Sequence, residues 1–167
     1  MIVVVMGVSG VGKTTVGERL AARLKAHFIE GDRFHPPENI AKMSQGAPLD
    51  DADRHPWLAA LAAELDRFRR EGARVVLTCS ALRGSYRAIL RNGHDDVDFV
   101  FLDGPKALVQ RRLAARTNHF MPPGLLDSQF AALEAPDAEE HALRIDVDAA
   151  PETIVDAVLQ RLRGATD

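Results

Sequence analysis

With 167 residues, 46% of them apolar, the chain suffices for one compact domain with a proper core. A formal net charge of −3 provides no broad basic field, which argues against nucleic acid as a partner. The single cysteine, Cys79, excludes an internal disulfide and a cysteine-built zinc site, and five apolar residues before Gly7 are too few for a signal-peptide core or a membrane span, so a cytoplasmic setting is expected.

Residues 2–6 form a short apolar run that predicts a buried strand. Residues 7–14 follow directly and read Gly-Val-Ser-Gly-Val-Gly-Lys-Thr, the Gly-x-x-x-x-Gly-Lys-[Ser/Thr] phosphate-binding pattern. After it, Val16, Leu20 and Leu24 share one side of a helix predicted over 14–24. Strand, loop and helix together give the pattern physical meaning. The glycines let successive backbone N–H groups turn inward around a phosphate, and the helix N-terminus adds partial positive charge. Gly7, Val8, Ser9, Gly10, Val11, Gly12, Lys13, Thr14 and Thr15 are therefore the expected nucleotide cradle. Lys13 can reach the terminal phosphates, and the Thr14 hydroxyl can face Mg²⁺.

A second strand, 27–30, ends in acid. Glu30 and Asp32, two residues apart, leave it on the same side, and Gly31 is expected to let the backbone pass close to a ligand. One carboxylate can orient metal-bound water, and the other can accept the proton of an attacking hydroxyl. A solvated turn is the alternative, and the phosphate loop weighs against it. Residues 31–56 are polar, carry four prolines, and read as an irregular substrate-binding insertion. Within it, His35 stands beside two prolines and suits a hydroxylated or anionic substrate. The acidic run at 50–53 fits either a cap for the helix predicted over 57–70 or an ordered substrate loop.

The third strand, 74–79, ends at Cys79, which reads as a small buried residue. Arg83 and Arg87 stand at i, i+4 on a helix predicted over 83–91 and form a candidate carboxylate or phosphate clamp. The fourth strand is 98–102. A basic helix over 105–116 places Arg112 and Arg116 on one face, where they suit a lid over a triphosphate spanning about 112–124 and including His119. Helix 124–134, strand 142–147 and helix 151–163 complete the chain, with 146–151 positioned to pass near adenine. Apolar strands alternating with helices predict a parallel sheet covered on both faces. Ligands in such folds lie at the carboxyl ends of the strands, which selects 7–14, 30–35, 79–83 and Asp103.

Several segments together carry a more specific resemblance. They are the loop with Met6, Gly31-Asp-Arg-Phe-His-Pro36, Asn39-Ile-Ala-Lys-Met43, the run 46–54, Pro56-Trp-Leu58, Cys79-Ser-Ala-Leu82, Tyr86-Arg87, Arg116-x-x-His119-Phe-Met-Pro122, Ser128-Gln-Phe130 and Leu133-Glu134. Over nearly its whole length the chain resembles the gluconokinase family of phosphate-loop small-molecule kinases, relatives of shikimate kinase. The resemblance implies a three-layer α/β P-loop kinase fold with a five-stranded parallel sheet and a lid, in a single domain over 1–167. It implies transfer of the ATP γ-phosphoryl to the 6-hydroxyl of D-gluconate, with Mg²⁺, and a homodimer. Lys13, Asp32 and Arg116 are then the expected catalytic residues. Arg112 joins the nucleotide site, and Thr14 and Glu30 hold the metal. Asp32, His35, Arg54, Arg83 and Arg87 meet the sugar acid. Glu30 stands where the family has aspartate, Arg83 where it has lysine, and Val11 where it has serine. A kinase for another small hydroxy acid, or a nucleotide-gated binding module, are the alternative readings. The second leaves the acids and arginines at the strand ends unused.

Overall fold

The apolar run Ile2–Met6 is strand β1, and all five of its residues are buried. A computed structural model describes residues 1–116 and 123–164. The other strands are β2 (His27–Glu30), β3 (Val75–Cys79), β4 (Val97–Asp103) and β5 (Leu143–Asp146), and the sheet is entirely parallel in the order β2-β3-β1-β4-β5. β1 and β3 are apolar throughout their length except for Thr78, as befits central strands covered on both faces.

The helices are α1 (Lys13–Leu24), α2 (Pro37–Ser44), α3 (Asp51–Glu71), α4 (Gly84–Arg91), α5 (Lys106–Ala114), α6 (Pro123–Ala132) and α7 (Pro151–Gly164). The chain moves from β1 toward one edge of the sheet and from β2 onward toward the other. Right-handed crossovers therefore put α1 on one face and α3, α4 and α5 on the opposite face. α7 packs beside α1, tied by Arg19–Glu152 and Arg23–Asp156 ion pairs, and α3 packs beside α4.

The direction of chain travel changes at β1, so the crevice of this sheet opens at the β1 carboxyl end. The registers pair Met6 with Cys79 and Glu30 with Thr78. The chain therefore leaves β1, β2 and β3 at one level, and the Gly7 N–H donates to the Ser80 carbonyl at 3.3 Å.

The segment 31–56 is far more regular than its prolines suggest. It contains a 3₁₀ turn (Gly31–Phe34), then α2 with Pro37 in its first turn, and then the start of α3. α3 begins six residues before the predicted position. Asp50 caps it, accepting from the Asp53 N–H, while the Asp53 carboxylate accepts from the Asp50 N–H. Pro56 lies inside the helix near its N-terminal end. A proline disfavours helical backbone at the residue before it, which is why the sequence pattern alone places the helix start at Trp57.

Gly31 makes its close approach to β3 rather than to a ligand. A Cβ there would lie 2.1 Å from the Thr78 carbonyl oxygen. Gly31→Ala is expected to push the end of β2 off β3 and cost about 2 kcal/mol. Thermal unfolding by circular dichroism should show Tm lowered by about 4–8 °C.

Candidate active site

Gly12, at φ 105°, caps α1 in a left-handed conformation that favours glycine, and this turns the phosphate loop into the helix. Lys13 is the first helical residue, and its Nζ donates to the carbonyls of Gly7 and Val8 at 3.0 Å each. Burial pulls the Lys13 pKa down, against the attraction of Asp32 and Glu30. The Thr14 hydroxyl donates to Glu30 Oε2 at 2.6 Å, and the Thr78 hydroxyl donates to the other oxygen of the same carboxylate. Threonine hydroxyl and carboxylate are hard oxygen donors of the kind Mg²⁺ prefers, so these side chains fit that ion.

Opposite the loop, the 3₁₀ turn carries Asp32 into a cleft of about 240 Å³ whose lining includes Ser9, Lys13, Asp32, His35, Arg54 and Gln129. The turn is fixed from below, where Trp57 Nε1 donates to the Gly31 carbonyl at 2.8 Å. The Trp57 ring also stacks on His35, with centroids 4.0 Å apart and planes at 18°. Arg54 is almost wholly buried and donates to the Tyr86 hydroxyl at 3.2 Å, and that hydroxyl donates to Asp51. An adjoining recess shares Pro48, Leu49, Arg54 and Ser128 with the cleft and extends it to Arg83, whose guanidinium lies 3.7 Å from Asp51. On the other side of the loop, a recess of about 230 Å³ is lined by Gly12, Thr15, Arg112, Arg116, Ala149 and Pro151. Two cavities thus flank one phosphate loop. This arrangement suits a donor nucleotide on one side and a small acceptor on the other.

A family model described as an AAA domain matches residues 2–136. The gluconokinase of Gluconobacter oxydans is 46% identical over 160 residues, which cover 96% of this chain and 90% of that one. The chain belongs to the gluconokinase family. The crystal structure of a gluconokinase from Sinorhizobium meliloti 1021 superposes with a TM-score of 0.86 at 47% identity, covering 96% of this chain and 91% of that one. A shikimate kinase from Aquifex aeolicus shares the fold at 18% identity, with a TM-score of 0.62 and coverage of 99% and 98%.

Two expected site residues are placed elsewhere. Arg87 is 1% exposed and does not reach the cleft. Its guanidinium forks onto Glu140 and donates to the carbonyls of Ala81 at 2.9 Å and Glu134 at 3.1 Å. It also shares no helical face with Arg83, because Arg83 precedes α4 in extended conformation at φ −112°, ψ 151°. Asp103 pairs with Arg144 on the neighbouring strand. Arg87→Lys keeps the charge but loses the fork, so it is expected to lower Tm by about 3–6 °C. The KM for the acceptor should stay within about twofold, as steady-state kinetics would show.

Cys79 is buried at the end of β3, and burial pushes its thiol pKa up to about 12, a protonated and unreactive state. Arg112 donates to the carbonyls of Val11 at 3.4 Å and Val147 at 2.5 Å, joining the phosphate loop to the segment after β5. Arg116 lies at the edge of the same recess. His119 and the part of the expected lid at 117–122 lie outside the described residues.

Three residues without an expected role also belong to the site. Trp57 braces both the turn and His35. Gln129 on α6 accepts from the Ser9 N–H at 2.7 Å and donates to the Ser9 hydroxyl at 3.1 Å. Asn39 lies against His35. Only the quoted motifs Pro56-Trp-Leu58, Ser128-Gln-Phe130 and Asn39-Ile-Ala-Lys-Met43 signalled them, and those motifs carried no geometry.

Proposed function

We propose that the protein transfers the γ-phosphoryl group of ATP to the 6-hydroxyl of D-gluconate, giving 6-phospho-D-gluconate and ADP. The observation that carries this reading is the single cleft lined by Lys13 of the phosphate loop and by Asp32, His35 and Arg54. Its members are a phosphate cation, a carboxylate base and donors suited to a polyhydroxy acid, and membership of the gluconokinase family supports the acceptor.

The backbone of 7–15 cradles the phosphates, and Lys13 steadies the β and γ groups. Thr14 and Glu30 would hold Mg²⁺, which, when bound, neutralises charge on the phosphates. Gluconate occupies the cleft and its extension, with its carboxylate toward Arg83 and Arg54 and its hydroxyls toward His35. Asp32 orients the 6-hydroxyl and takes its proton as the oxygen attacks. Arg112 lies on the nucleotide side, and Arg116 closes toward the transferring group. A closed site matters because water in place of the acceptor would hydrolyse ATP.

The same reading has one kinase domain over 1–167 acting in the cytoplasm, with an acceptor-binding insertion at about 31–56 and a lid at about 112–124. Among the described residues, no helix is long and apolar enough to cross a membrane. No described residue argues for the homodimer that the resemblance implied.

An ADP-coupled assay over D-gluconate, other hexonates and shikimate tests the acceptor. We expect kcat/KM for gluconate to exceed the others by at least about tenfold, a difference of about 1.4 kcal/mol in transition-state binding. A stronger preference for a different acceptor contradicts the proposal. ATP binding without acceptor-stimulated turnover would indicate the binding-module reading instead.

A further inference from the structure

The acceptor wall contains a buried polar chain whose logic fixes a proton. Asn39, on α2, is 3% exposed. Its Nδ2 lies 2.9 Å from the Asp53 carbonyl oxygen and 3.2 Å from His35 Nδ1. A carbonyl oxygen only accepts, so the Asp53 carbonyl requires the NH₂ end of the Asn39 amide to face it. That same NH₂ faces His35 Nδ1, which must then be an acceptor. In a neutral imidazole the proton consequently sits on Nε2. His35 Nε2 lies 3.9 Å from Asp32 Oδ1, and stacking on Trp57 holds the ring plane. The Asp53 end of the chain is itself anchored, because its carboxylate accepts from the Asp50 N–H and from Lys42.

We propose that Asn39 is a positioning residue that locks His35 in its Nε2–H tautomer, making His35 a hydrogen-bond donor to the acceptor substrate. The assignment rests on the reading of this cleft as the acceptor site. An Nε2–H group binds a lone pair of a substrate oxygen and leaves the hydroxyl proton to Asp32. The opposite tautomer would present a bare Nε2 that accepts this proton in competition with Asp32. Burial lowers the His35 pKa, Asp32 opposes that effect and Arg54 adds to it, so the ring is held neutral and its tautomer matters.

Long-range ¹H–¹⁵N correlation spectra of the unliganded, ¹⁵N-histidine-labelled protein read the tautomer directly. The His35 signals are assigned by their loss in His35→Gln. We expect a single Nε2–H pattern at neutral pH. An Nδ1–H pattern, or an exchanging mixture, overturns the proposal. No acceptor is present in this measurement, so it fails or succeeds separately from gluconate as substrate. Asn39→Leu removes the donor at similar volume. It should give mixed tautomers and about tenfold lower kcat/KM for gluconate, with KM for ATP within about twofold. A folded Asn39→Leu protein that keeps a single Nε2–H tautomer, or keeps full kcat/KM for gluconate, also overturns it. If that variant does not fold, the wild-type spectrum decides.

Discussion

Asp32→Asn is expected to lower kcat for gluconate phosphorylation by about 10³-fold while nucleotide affinity stays within about twofold. Asparagine has the shape of aspartate but cannot take a proton from the attacking hydroxyl. The 3₁₀ turn should survive, because it is held by the Trp57 bond to the Gly31 carbonyl and by the packing of Gly31 on β3, neither of which involves the Asp32 side chain. The Asp32 carboxylate is 68% exposed, and the isosteric asparagine still offers a polar group to the buried His35 ring 3.9 Å away. ADP release and calorimetric binding of a nonhydrolysable ATP analogue together check the result. Turnover within about tenfold of wild type would remove Asp32 from the base role.

Lys13→Ala is expected to cost about 10²–10³-fold in kcat/KM for ATP, the range found when one preorganised donor to a developing charge is removed. The half-buried Nζ is held in the loop by the Gly7 and Val8 carbonyls, so it needs little rearrangement to meet a phosphate. Removing it also leaves those carbonyls without this donor, so thermal unfolding must accompany the kinetics. Lys13→Arg separates the two effects, because it keeps a cation but changes its shape and reach. A Lys13→Ala protein that is destabilised but retains wild-type kcat/KM would assign the lysine a purely structural task.

The β1–loop–α1 unit was legible in the sequence because its signals agree: an apolar run, a complete phosphate pattern and helical spacing. The other strands were found within a residue or so for the same reason. In the segment 31–56 it was the regular structure that stayed hidden, because four prolines mimic a loop. Two of them serve at the start of α2, and Pro56 is carried inside α3 near its capped end. Arg83 and Arg87 show the limit of spacing arguments. The i, i+4 rule presumes that both residues are helical, and Arg83 is not. Spacing also gave no sign that Arg87 turns inward, because its partner Glu140 lies 53 residues away. The Gln129–Ser9 clamp spans 120 residues, and the tautomer-setting bond of Asn39 depends on a backbone carbonyl at Asp53. Contacts of that kind follow from the fold and have no local signature.

The most direct test of the central claim is the identity of the product. The purified protein is incubated with ATP, Mg²⁺ and D-gluconate, and the mixture is analysed by ³¹P–¹H correlation NMR. The account predicts one new phosphomonoester, coupled to the C6 protons of gluconate and formed in proportion to ADP. Phosphate on any other carbon, or ADP accompanied only by inorganic phosphate, would contradict it.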